Sequence, residues 1–168
     1  RESNAIRTAF VNMTIEELMT GQPAVSPLQE ASLCITIGNA ALTLREPWYG
    51  NQIAAKPQAA AEWYQRALRI DPGNIAAQHN IALVAAMSRQ ASVATQLINA
   101  IAMKLPDARL SSAEAWIRTV STHGITQELL HSLPLMEAEM PQLSLTDKRN
   151  SAMNTTKILF TMYGWNES

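Results

Sequence analysis

The sequence predicts an all-α chain, and three observations point that way. Long segments rich in Ala, Leu, Met, Gln and Glu, all good helix formers, alternate with short Pro, Gly and Asn punctuation. Helix-start patterns of Ser or Thr followed by Glu or Gln recur along the chain. Runs of alternating β-branched residues, the mark of strands, are missing, so essentially no sheet is expected.

Each element follows from its own signals. Ser3 is placed to cap a helix of about 4–20, with Ile6, Phe10, Met13 and Leu18 on one apolar face and Gly21 past its end. After the linker GQPAVSP, Ser26 and Pro27 open a second helix running to about Arg45, with Gln29 three residues after the cap. EPWYGNQIAAKP reads as an irregular loop, and helices of about 57–70, 75–88 and 91–104 follow. Ser111 and Glu114 form a capping-box pattern for a helix that stops before Gly124. Thr126 caps the next, which Pro134 should kink or split. After MPQLS, Thr146 opens a last helix that Gly164 closes.

The helices repeat. Pro72 and Pro106 lie 34 residues apart, each behind an Ala/Leu-rich helix, and 34 is the period of a helix–turn–helix repeat. With Pro72 as a closing proline, Ala60, Tyr64 and Ala67 fall at small, aromatic and small positions of a second helix. Asn80, Ile81 and Ala82 stand at the Asn-Leu-Gly core of the next first helix, and Ile37-Gly38 at the Leu-Gly pair of the one before. In these residues the chain resembles the tetratricopeptide repeat family. The match covers roughly 28–106, with about ten extra residues around EPWYGNQIAAKP, and 109–141 more loosely. The resemblance implies a right-handed stack of antiparallel helix pairs. The expected organisation is one domain over 1–168: an N-terminal helix to residue 21, repeats over 28–141 and a capping helix over 146–164.

Such a stack exposes a concave surface on the first helix of each pair. The resemblance places Ser32, Ile35, Asn39, Leu42 and Thr43 there, then Ala76, His79, Asn80, Leu83, Ala86 and Met87. Leu110, Ala113, Ile117 and Val120 follow from the loose third unit. None is Lys or Arg, which argues against a clamp for a partner's C-terminal carboxylate, since that needs fixed cations. An apolar groove with two amides suits a helix or an extended apolar peptide. The competing reading packs several of these residues against a terminal helix folded back into the groove. Trp48 and Tyr49, in the extra loop, are a second candidate surface for anchoring a partner, because aromatics bury large area at low entropic cost. They are equally able to tuck back and hold the loop down.

Composition excludes other classes. At 47% hydrophobic and 16% charged, with net charge -1, the chain is globular and lacks the basic stripe that nucleic-acid binding requires. No apolar run reaches the roughly 20 residues of a membrane span. His79, His123, His131 and Cys34 nowhere share the three- or four-residue spacing that puts metal ligands on one helix face. Cys34 reads as a small core hydrophobe. Glu16-Glu17 and Glu137/Glu139 read as carboxylate pairs on solvated helix faces rather than in a cleft. Three glycosylation sequons, at Asn12, Asn154 and Asn166, are short patterns in or beside helices. No phosphate-loop, zinc-protease or nucleophile-elbow motif is present, so no catalytic residue, metal or cofactor is expected.

The expectation is therefore a scaffold that binds a protein or peptide in assembly or transport at the bacterial envelope. Balanced charge and a start at Arg1 without Met favour a periplasmic fragment, with a membrane tether possible in the parent protein. The alternative is an accessory domain of a membrane-bound envelope glycan or lipid transferase, its catalytic part lying elsewhere.

Overall fold

The computed structural model describes residues 26–46, 50 and 52–139. The expected terminal helices, all three sequons, the Glu16-Glu17 pair, and Trp48 and Tyr49 lie outside the described residues. Helix makes up 73% of what is described, in six α-helices and one 3-10 turn, with almost no strand. Residues 27–139 form a compact unit of their own.

Helix α1, Pro27–Thr43, begins with the expected proline. It buries Ala31, Cys34, Ile35, Ile37, Ala41 and Leu42, more of its circumference than one stripe would. The segment after it is not irregular. Strand β1, Arg45–Glu46, pairs antiparallel with β2, Gln52–Ile53, in the register Arg45↔Ile53. Gly50 takes the positive φ of 65° between them. Beyond the hairpin, Ala54 N donates to Leu44 O at 3.0 Å and Lys56 N to Ala41 O at 2.8 Å. The returning chain thus satisfies carbonyls that the end of α1 leaves open.

Helix α2, Pro57–Ile70, buries one stripe of Ala60, Trp63, Tyr64 and Ala67, at the spacing of a single helical face. The break at 71–74 restarts the chain at once because Asn74 caps α3, Ile75–Met87, accepting from Ala77 N at 3.0 Å. α3 is buried almost all round. It ends in a Schellman turn, with Gln90 N on Ala85 O and Arg89 N on Ala86 O. Helix α4, Ala91–Ile101, buries Ala94, Ile98 and Ile101 and runs into a 3-10 turn at Ala102–Lys104.

Helix α5 spans Asp107–His123, five residues earlier than a cap at Ser111 predicts. Pro106 is the residue before it, and Asp107 in the first turn has the favourable sign for the helix dipole. Ser111 is therefore an exposed residue inside the helix and caps nothing. Its core stripe is Ala113, Trp116, Ile117 and Val120, and Gly124 stops it with φ 77°. Helix α6 is only Gln127–His131, capped by Thr126 as expected.

Over 133–139 the chain is non-helical, so Pro134 neither kinks nor splits a helix. Pro134 has no N–H to donate and biases Leu133 away from helical angles. Each helix from α1 to α5 packs on the next, and α3 also meets α5. α6 lies against β2 and α1 instead. The third helix pair anticipated over 109–141 thus has a stub for its second arm.

Candidate peptide-holding site

Among the described residues the buried polar side chains are Ser32, Asn39, His79 and Asn80. An unpaired amide in such a place would destabilise the fold by a few kcal/mol, so the partners of these groups define the site. Ser32, Asn39 and Asn80 bond to the non-helical segment 133–139, and His79 adjoins Asn80.

The centre is Asn80, whose carboxamide takes both backbone polar atoms of Met136. Its Nδ2 donates to Met136 O at 2.8 Å and its Oδ1 accepts from Met136 N at 2.9 Å. The same Nδ2 donates to Asn39 Oδ1 at 3.0 Å, and Asn39 Nδ2 donates to Met136 O at 3.0 Å. Tyr64, entirely buried on α2, donates from its hydroxyl to Asn39 Oδ1 at 2.5 Å and fixes that amide. Burial holds the Tyr64 phenol well above its usual range, so it remains a donor.

On either side, more side chains read the segment's backbone. Arg109 Nη1 donates to Pro134 O at 3.1 Å and Leu135 O at 3.3 Å. Ser32 Oγ donates to Glu139 O at 2.7 Å. The segment therefore crosses from α5 over α3 to α1, gripped through its peptide groups. Leu133, Leu135 and Met136 pack their side chains on the core of α3, α4 and α5.

His79 completes the network. Its Nδ1 lies 2.8 Å from Asn80 Oδ1, which already accepts from Met136, so Nδ1 carries the proton. Nε2 is buried without a partner among the described residues. Protonation would place a charge there with no acceptor among the described residues for its hydrogen. Burial pushes the His79 pKa below 6.5, and the Arg109 charge adds to the effect, while the bond to Asn80 works against it.

Of the residues expected to line the groove, Asn39 and Asn80 meet directly, with Ser32 beside them. Ile35, Leu42 and Leu83 have no exposed surface and serve as core. Thr43 is exposed and turns its hydroxyl back onto Asn39 O. Ala76 is buried in α3, at the edge of a small cavity it shares with Met136. Met87, with Ala86 and Val120, lines a different hollow of about 580 Å³ next to Arg89 and Ile125. Leu110 is half-buried, and Ala113 and Ile117 belong to the core.

Arg109 is the residue the sequence reading missed. A helix begun at Ser111 leaves Arg109 in the preceding turn, whereas a helix begun at Asp107 puts it on the face toward 133–139. Its guanidinium is spent on main-chain carbonyls.

Among the described residues no cluster of three or more His, Cys, Asp or Glu is placed to hold a metal ion. No described helix is long and apolar enough to cross a membrane. No family model matches this chain, nor does any curated protein or solved structure.

Proposed function

We propose that this chain is a protein-interaction scaffold of tetratricopeptide-like helix pairs whose groove holds a non-helical peptide by its backbone. The observation that carries the reading is the two-point grip of Asn80 on Met136. A side-chain amide that matches both the N–H and the C=O of one residue recognises peptide as such, whatever its side chain. Three further donors, from Asn39, Arg109 and Ser32, extend that recognition along 133–139. Side-chain selectivity comes from the apolar contacts that Leu135 and Met136 now fill.

The floor favours a peptide over a small molecule, since its donors are spaced along a chain rather than converging on one point. Panning a random peptide library on the full chain tests this. Peptides retained by wild type should be lost with Asn80→Ala combined with Arg109→Ala. Equal retention by both proteins would sink the reading.

A further inference from the structure

We infer that residues 133–139 are a replaceable occupant of this seat. The segment suited to replace them is a partner peptide with two successive apolar residues followed by Lys or Arg where Glu137 and Glu139 stand. The inference rests on the peptide-groove reading above and adds to it the chemistry of the partner and the means of access.

The floor beneath the segment is partly polar, beside the apolar contacts of Leu133, Leu135 and Met136. Lifting 133–139 away from an apolar floor would expose hydrocarbon, at about 25 cal/mol for each Å². Here it also uncovers the amides of Asn39 and Asn80, the Ser32 hydroxyl and the Arg109 guanidinium, all of which water can satisfy. A peptide in trans offers the same backbone atoms, so exchange trades equivalent hydrogen bonds.

The resident segment is also poorly matched in charge. Glu137, Glu139 and Asp71 line one cavity of about 240 Å³ at the α2–α3 turn, and no Lys or Arg among the described residues lines it. Like charges gathered at one small cavity weaken the hold. A peptide with cations at those two places would meet Asp71 favourably. Glu137 and Glu139 are themselves exposed, while Leu135 and Met136 are half-buried, so the anchoring sits in the apolar pair and the peptide groups.

The test uses the full chain and two labelled heptapeptides, Leu-Pro-Leu-Met-Lys-Ala-Lys and Leu-Pro-Leu-Met-Glu-Ala-Glu, read by fluorescence anisotropy. Met136→Pro removes the N–H that Asn80 accepts and so loosens the resident segment. The Lys peptide should bind Met136→Pro at least about ten-fold more tightly than wild type, and about ten-fold more tightly than the Glu peptide. Adding Asn80→Ala should abolish that binding, and adding Asp71→Asn should erase the preference for Lys. Equal binding of both peptides, or no gain from Met136→Pro, overturns the replaceable-occupant proposal. If that binding still depends on Asn80, the groove reading survives. Binding that ignores Asn80 removes both.

A concentration-dependent dimer of wild type that exchanges 133–139 between copies would make the occupant a second copy and overturn the partner peptide. Should Met136→Pro not fold, hydrogen exchange on wild type decides instead. The Met136 amide should exchange at least about a hundred-fold faster than the protected amides of α3. Exchange of both only through global unfolding overturns the proposal.

Discussion

Gly38 and Tyr64 are in contact so close that a methyl group on Gly38 would lie 2.6 Å from Tyr64 Cε1. The absence of a side chain on Gly38 is what lets the α2 ring come this close to α1. The same ring carries the hydroxyl that orients Asn39 toward Met136. Helix packing and peptide holding therefore share one aromatic. Gly38→Ala must displace a fully buried ring, and overpacking of this kind destabilises by about 1–3 kcal/mol. Tyr64→Phe keeps the packing and removes one donor, with an expected loss of about 1 kcal/mol. Urea denaturation of both variants checks the order, and Tyr64→Phe losing more than Gly38→Ala would refute the shared-ring account.

Stability should depend on the ionisation of His79. Its folded pKa lies below 6.5, so the unfolded chain binds the proton more readily. The neutral form's full contribution is present above pH 6.5 and is lost as pH falls from there toward the depressed folded value. Denaturation curves between pH 8 and pH 5 should show wild type weakening below about 6.5. His79→Gln should be flatter over that range, and identical pH profiles would assign the loss to other groups.

Cys34 should be chemically silent while the chain is folded. It has no exposed surface, and burial raises its thiol pKa to about 12, against the lowering effect of nearby Arg66. The thiolate is the reacting species, so a thiol reagent at pH 8 should modify Cys34 only through unfolding. Adding denaturant should turn a slow reaction into an immediate one. Rapid modification without denaturant would place the thiol elsewhere than in the core.

Arg89 offers a stabilising change. It occupies the residue after the cap of the Schellman turn ending α3, with φ 62°, where glycine is the unstrained residue. Left-handed backbone costs a residue with a side chain about 1 kcal/mol, so Arg89→Gly should raise stability by up to that amount. A thermal melt showing a lower midpoint would mean that the Arg89 side chain makes up the difference.

Much of the helical frame was legible because each helix follows from local signals. Pro27 opens α1 and Thr126 caps α6 as their types suggest, and Ala60, Tyr64 and Ala67 fall on the buried stripe of α2. The errors came from competition between signals. Ser111 with Glu114 imitates a cap, yet Pro106-Asp107 begins the helix first, and that shift of one turn hid Arg109. The fate of 133–139 was not legible, because a single proline only forbids helix. What the segment does instead depends on amides 56 and 97 residues away in sequence. Asn39 and Asn80 were singled out, but their pairing on one Met136 is a tertiary fact.

The grip of Asn80 on Met136 has a counterpart between α6 and β2. Gln127 Nε2 donates to Ile53 O at 2.9 Å, while Ile53 N donates to Gln127 Oε1 at 2.9 Å. α6 is five residues long, and this clamp explains how it holds β2 without a stripe of its own. Gln127→Ala removes both bonds but leaves the buried Ile53 side chain in place, for an expected loss of about 1–3 kcal/mol. That loss should fall locally: the Ile53 amide should lose protection from hydrogen exchange while the amides of α3 keep theirs. A loss spread evenly over α1 to α5 would mean that the hairpin is integral to the core rather than pinned onto it by one side chain.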